Sequence, residues 1–295
     1  MRVNGVALFG RDPYSAREVW DRTNGYPGHP LYREYHRDLG FEGHTDALSA
    51  FLPAGVAAAP TGIKYFRVTG PTARKALYRP DAAMRQAEHD AHRFVLNRRR
   101  LLATLRGAAR PPIVVAPYDA ELFGHWWYEG PAFLDALVRK LDTMGEELKT
   151  VTLSGYLRSH GTAGECQPAS SSWGERGYNE AWLRPETGWV HLHLHQLAIE
   201  FSDLIRARGP GREPLRRRLL LQAGRSLLLA QSSDWTFHMG RSGGGDYAEA
   251  RLRDQLARFD FLIGALRAGT EPGRRLAALE NMDNLFPNMK LRDFL

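Results

Sequence analysis

The sequence predicts an α/β domain over residues 1–160 followed by an all-helical domain over residues 161–295. Three observations carry this reading. Short apolar runs rich in β-branched residues alternate with helical patterns in the first half. Compact runs such as Ile113 to Pro117 have the texture of strands buried on both faces of a parallel sheet. After Gly161 the apolar residues recur almost wholly at helical spacing.

In chain order, Val3 to Phe9 is an apolar run closed by Gly10-Arg11-Asp12-Pro13, which predicts a buried strand and a loop. Tyr14 to Trp20 has the length of a helical turn or two. Gly25-Tyr26-Pro27-Gly28-His29-Pro30 is a turn-rich loop, because two prolines and two glycines exclude helix. Ile63 to Val68 alternates as a second strand would. Charged and apolar residues then recur at helical spacing from Pro80 to Ala109, and Pro111-Pro112 closes that helix. Ile113 to Pro117 follows as a strand, Ala132 to Leu141 as a helix, and Leu148 to Leu153 as a further strand-like stretch. Beyond a polar, aromatic-rich loop (Gln167 to Trp189), four helices are expected: His191 to Arg208, Glu213 to Ser232, Tyr247 to Ala268 and Gly273 to Asn284, with Gly240 to Gly245 as a flexible connection.

Composition narrows the function. The chain has 295 residues, 43% hydrophobic and 25% charged, as in globular proteins. No apolar run approaches the ~18 residues of a membrane span, and the first residues lack a signal-peptide pattern, so a cytoplasmic address with no membrane partner is expected. A single cysteine, Cys166, excludes an internal disulfide framework. The net charge of +7 raises a nucleic-acid partner, but the densest runs, Arg98 to Arg100 and Arg216 to Arg218, continue leucine-bearing helices and read as solvated faces. His191, His193 and His195 alternate without a carboxylate that would complete a metal site, and no metal is expected there.

The chemistry-bearing residues concentrate in Ala116 to Pro131, where Asp119, Glu121 and Glu129 stand among His125 and five aromatics directly after the Ile113 to Pro117 run. Ligand sites of parallel α/β proteins lie at the carboxyl ends of strands. Aromatic rings beside carboxylates suit a carbohydrate, whose C–H faces stack on indole and phenol rings while carboxylates bind hydroxyls or move protons. A loop that packs two domains together is the alternative. Ser170 to Trp182 and Ser232 to Trp235 repeat the pattern, with tryptophans beside glycine, serine and carboxylates.

Taken together, Ala7 to Trp20 with Gly25-Tyr26-Pro27-Gly28, the stretch Pro117 to Pro131, the Ser172 to Trp182 loop, Ser232 to Trp235 and Glu280 to Pro287 resemble the family 57 glycoside hydrolases, specifically their 1,4-α-glucan branching enzymes. The resemblance runs over nearly the whole chain in the same order. It implies the C-terminal part of an incomplete (β/α)₇ barrel over 1–160 and a helical domain over 161–295 that completes the glucan cleft. It implies a retaining glucanotransferase that cuts α-1,4 linkages and forms α-1,6 branches in glycogen-type glucans without a cofactor.

By the same resemblance Asp119 is the general acid/base, and Arg11, Trp20, His125, Trp126, Trp173, Trp182, Asp234 and Trp235 bind substrate. The family's members are roughly twice this length, and their nucleophilic glutamate lies in the half this sequence does not match. Retaining chemistry requires two carboxyl groups, and nothing makes Glu121 or Glu129 the second. The resemblance thus leaves three alternatives: a truncated product, a subunit completed by a separately encoded N-terminal half, and a noncatalytic α-glucan-binding relative. The isolated chain is expected to be inactive in all three.

Overall fold

The computed structural model describes residues 2–3, 5–21, 23–42, 48, 50, 52, 58–208, 214–240 and 244–295. Two compact units divide the chain, Met1–Pro168 and Ala169–Leu295. Their regular structure is mainly helix, the first unit being otherwise rich in loops, and regular strand is confined among the described residues to a hairpin of β1 (Arg2–Val3) and β2 (Val6–Ala7), with Val3 opposite Val6.

In the first unit α1 (Pro13–Trp20) begins where chain chemistry dictates. Asp12 caps it by accepting the Ser15 N–H at 2.8 Å, and Pro13 occupies the first position, where its missing N–H costs nothing. The unit's largest packing interface joins α2 (Pro80–Thr104) to α3 (Gly130–Asp142). Ala83, Ala87 and Ala91 recur every fourth position on α2 and are fully buried, so this face is smooth enough for close helix approach. Val19, Tyr26, Tyr32, Phe94, Leu122, Trp127 and Phe133 fill the core around it.

Several expected strands are not strands here. Val3 to Phe9 is interrupted by the hairpin turn at Gly5. Ile63 to Val68 forms only isolated bridges, Arg67 with Arg33 and Phe66 with Leu77. Ile113 to Pro117 and residues 148–152 form no strand among the described residues, because strand character requires a laddered neighbour; in the first segment the Val115 carbonyl accepts the Asp12 N–H at 2.8 Å. Residues of both segments line an open groove of about 770 Å³ together with Leu102 of α2 and Leu137 of α3. Leu153 does not end a strand but starts α4 (Leu153–His160), capped by the Thr152 hydroxyl, which accepts the Gly155 N–H at 3.0 Å. The α2 helix ends at Thr104, short of Ala109, ahead of Gly107 with its left-handed φ of 97°.

The second unit is a helical bundle of α5 (Gly188–Arg208), α6 (Pro214–Ala230), α7 (Ser233–His238), α8 (Gly245–Ala268) and α9 (Arg274–Met282). The four long patterns of the sequence reappear as α5, α6, α8 and α9, with ends shifted by a few residues. Glu213 and residues 241–243 lie outside the described residues. The α6–α8 pair is the spine, with Leu220, Leu252 and Leu262 wholly buried. Gly224 on α6 admits the Phe294 ring, whose Cζ lies 2.4 Å from where a Cβ would stand. Among the described residues, no helix is long and apolar enough to cross a membrane.

Phe259 lies at the centre of this bundle, its ring 5.8 Å from that of Phe201. Phe259→Ala therefore lowers unfolding free energy by about 3–5 kcal/mol in urea titrations followed by circular dichroism.

Candidate functional site

Asp119 ends the extended run from Ile113 and opens a single 3-10 turn, Ala120–Leu122, so its carboxylate emerges at the surface. The indole Nε1–H of Trp20, at the last position of α1, donates to Asp119 Oδ2 at 3.0 Å. Residues 99 apart in sequence thus present one exposed carboxylate beside one ring that is 57% exposed.

A buried polar clamp holds α1 in place for this pairing. Arg98 of α2 donates to the Ser15 hydroxyl at 2.7 Å and to Glu18 Oε2 at 2.9 Å, while Asn97 donates to the other Glu18 oxygen at 2.9 Å. The Tyr118 hydroxyl donates to the Ser15 carbonyl at 2.9 Å, tying the residue before Asp119 to the same helix. Burial pushes the Tyr118 phenol well above its usual range, so it stays a neutral donor. A shallow surface depression beside this pairing is lined by Arg11, Pro13, Ala16, Arg17, Trp20 and Asp21.

His125 and Trp126 occupy a second patch of the same unit. The tight loop between Glu121 and Gly130 is closed by backbone bonds from Trp126 N to Glu121 O at 3.1 Å and from Gly124 N to Trp127 O at 2.8 Å. It turns neighbouring tryptophans to opposite environments: Trp126 is 52% exposed and Trp127 only 2%. Tyr35, absent from the sequence expectations, packs against Trp126 with ring centroids 4.4 Å apart, and its hydroxyl lies 3.4 Å from His125 Nε2. Its one sequence signal is the aromatic density of Tyr32-Arg33-Glu34-Tyr35-His36.

Glu129 is a different carboxylate from Asp119. It is 1% exposed and accepts the backbone N–H of Arg33 at 3.0 Å, with the Tyr78 hydroxyl beside it. Burial raises its pKa above the ordinary carboxylate value, and its enclosure keeps it from acting on a polymer. Glu121 is exposed on the 3-10 turn.

In the second unit a pocket is lined by Ser172, Trp173, Trp182, His191, Ser232 and Thr236, among others. Trp173 is 68% exposed, whereas Trp182 is half-buried and 6.2 Å from the Phe237 ring. The Trp182 carbonyl accepts the Thr187 hydroxyl at 2.6 Å and lies 3.2 Å from His191 Nε2, so the first histidine of the alternating trio serves local structure. Trp235 packs against the bundle core and donates its indole N–H to the Leu229 carbonyl at 2.7 Å; Asp234 is exposed beside it. The structure therefore groups Trp20 with Asp119, His125 with Trp126, and Trp173 with Trp182. Among the described residues no cluster of three metal-ligating side chains occurs.

Comparison with known proteins gives this geometry a context. Residues 193–294 match the family model described as 1,4-alpha-glucan branching enzyme, C-terminal. A 1,4-alpha-glucan branching enzyme of Thermococcus kodakarensis is 32% identical, the match taking in 97% of this chain and 40% of that protein. Nearly the whole chain is thus similar to part of a named 1,4-alpha-glucan branching enzyme. A probable 1,4-alpha-glucan branching enzyme of Mycobacterium tuberculosis is 33% identical over 97% of this chain and 53% of its own length. Among solved structures, the GH57-type branching enzyme of Pyrococcus horikoshii superposes with a TM-score of 0.77 at 31% identity, covering 99% of this chain and 52% of that one. The alpha-amylase AmyC of Thermotoga maritima gives 0.75 at 36% identity, covering 98% and 55%. The chain spans about half the length of the curated relatives it matches.

The raised pKa of Glu129 has a measurable sign. Folding favours its protonated form, so its contribution to stability is full below the unfolded carboxyl value of about 4.3 and is lost as pH rises through the folded value. Glu129→Gln keeps an acceptor for Arg33 and removes the charge. Urea midpoints measured at a series of pH values from 4 upward should fall less with pH in the variant than in the parent.

Proposed function

We propose that this chain carries the acid/base half of a branching reaction on α-1,4-glucans of the amylose and glycogen type, forming α-1,6 linkages by a retaining transfer. The observation that carries this reading is the exposed Asp119 carboxylate held by the Trp20 indole, in a chain whose relatives are named 1,4-alpha-glucan branching enzymes over 97% of its length. Asp119 protonates the glycosidic oxygen as the bond breaks and then, as carboxylate, takes the proton of the acceptor hydroxyl. Trp20, Trp126, Trp173 and Trp182 offer faces on which glucose rings stack, and Arg11, His125 and Asp234 offer polar groups for hydroxyls. Trp235 serves by holding the α7 turn that bears Asp234.

A retaining transfer also needs a nucleophilic carboxylate about 5–5.5 Å from the acid. Glu129 is buried and Glu121 sits in the same surface turn as Asp119. On this reading the nucleophile belongs to polypeptide outside these 295 residues, in the part of the relatives' length that this chain does not span. The open groove along Ile113 to Pro117, where the described residues form no strand ladder, supports the reading that further polypeptide packs there. This reading confines the barrel architecture to the completed assembly, and it requires no cofactor. A cytoplasmic site, where glucan stores are built, fits the single cysteine.

The purified chain alone should form no α-1,6 linkages on amylose, and co-expression with an N-terminal half from a related branching enzyme should restore them. In that reconstituted enzyme Asp119→Asn lowers turnover by at least about 100-fold, the scale of lost general acid catalysis, while maltoheptaose binding persists because asparagine still accepts the Trp20 proton. Full turnover by the chain alone, or by the Asn variant, defeats the assignment.

A further inference from the structure

A buried carboxylate and an ammonium group together fix one phenol ring against the exposed tryptophan of the second patch. The segment from Tyr32 to Tyr35 is strand-like on one side, where Glu34 N donates to Phe66 O and Val68 N donates to Tyr32 O, both at 2.8 Å. On the other side no described residue forms an adjacent strand, and Glu129 Oε1 takes the place of a strand carbonyl by accepting Arg33 N at 3.0 Å. The Arg33 guanidinium lies 3.8 Å over the Tyr128 ring, which joins the same segment to the Glu121–Gly130 loop a second time. Tyr35 is therefore anchored from both edges.

Its ring is enclosed as well. Lys64 Nζ sits 4.5 Å from the Tyr35 ring centroid, donates to the Tyr35 carbonyl and pairs with Asp38 at 3.9 Å. Partial burial works to raise the Asp38 pKa, but hydrogen bonds from Thr61, Gly40 and Gly62 outweigh it and hold the carboxyl at about 2, so the Lys64 counter-charge persists. Trp126 packs on Tyr35 at 4.4 Å, and His125 meets its edge at 5.7 Å, with the Tyr35 hydroxyl 3.4 Å from Nε2. An indole that is half exposed has many rotamers open to it unless a rigid neighbour excludes them.

We propose that Tyr35 is a positioning residue for the glucan surface, backing the Trp126 ring and orienting His125 so that both are preset for a sugar, with Glu129 holding Tyr35 in place. This rests on the glucan reading of Trp126 and His125 and adds residues that touch no substrate themselves. Ring stacking on a preorganised indole loses less conformational freedom on binding than stacking on a mobile one. Removing the support should then cost binding even though every sugar contact remains in the sequence.

The test pairs nuclear magnetic resonance with binding on the full chain. Tyr35→Ala should move and broaden the Trp126 indole N–H resonance, assigned by its loss in Trp126→Ala. Tyr35→Phe should leave that resonance in place and shift only the His125 ring signals. Maltoheptaose titration should show roughly five- to tenfold weaker binding for Tyr35→Ala, about that for Trp126→Ala, with the double variant no weaker than either alone, as expected for residues acting as a unit. An unmoved Trp126 resonance in a folded Tyr35→Ala chain, or single losses that multiply in the double variant, overturns the proposal. Should Trp126→Ala bind maltoheptaose unchanged while Tyr35→Ala still shifts the indole resonance, the positioning role stands and the glucan reading of this patch falls.

Discussion

Arg98 is the residue on which the arrangement depends. A guanidinium buried between α1 and α2 must place its N–H groups on acceptors, since an unpaired buried charge costs several kcal/mol. Ser15 and Glu18 supply those acceptors on successive turns of one face of α1. The short helix is fixed in rotation as a result, and its last residue, Trp20, arrives at Asp119 from a direction that the clamp sets. Tyr118 closes the arrangement from the other side by bonding the Ser15 carbonyl. A surface carboxylate and a surface ring are in this way held by groups neither of them touches.

The two acidic residues at the ends of this region illustrate how surroundings assign roles. Asp119 and Glu129 are ten positions apart and chemically alike. One is exposed and accepts an indole N–H on one oxygen. The other is buried beside Tyr78, where burial disfavours its charge, and serves as acceptor for the Arg33 backbone N–H. Only the first is open to solvent.

What the sequence conveyed follows the range of the forces involved. The helices of the second unit were legible because their apolar spacing is local and the leucines on α6 and α8 repeat it many times. The strand expectations failed where pairing is non-local: Ile113 to Pro117 has the composition of a buried strand, yet composition cannot supply a ladder partner. Residues 148–152 follow the same rule: nothing in their composition supplies a ladder partner, and Thr152 caps the helix that begins at Leu153. Neighbouring Trp126 and Trp127 look identical as letters; a five-residue turn closed by backbone bonds decides which one faces solvent. Tyr35 was invisible because its role comes from residues about 90 positions away.

The hydrogen bond between Trp20 and Asp119 joins the end of α1 to an optical signal. Indole emission responds to what its N–H donates to, so a change that breaks or remakes this contact is written into the light the ring gives off, an internal gauge of local geometry that needs no added label.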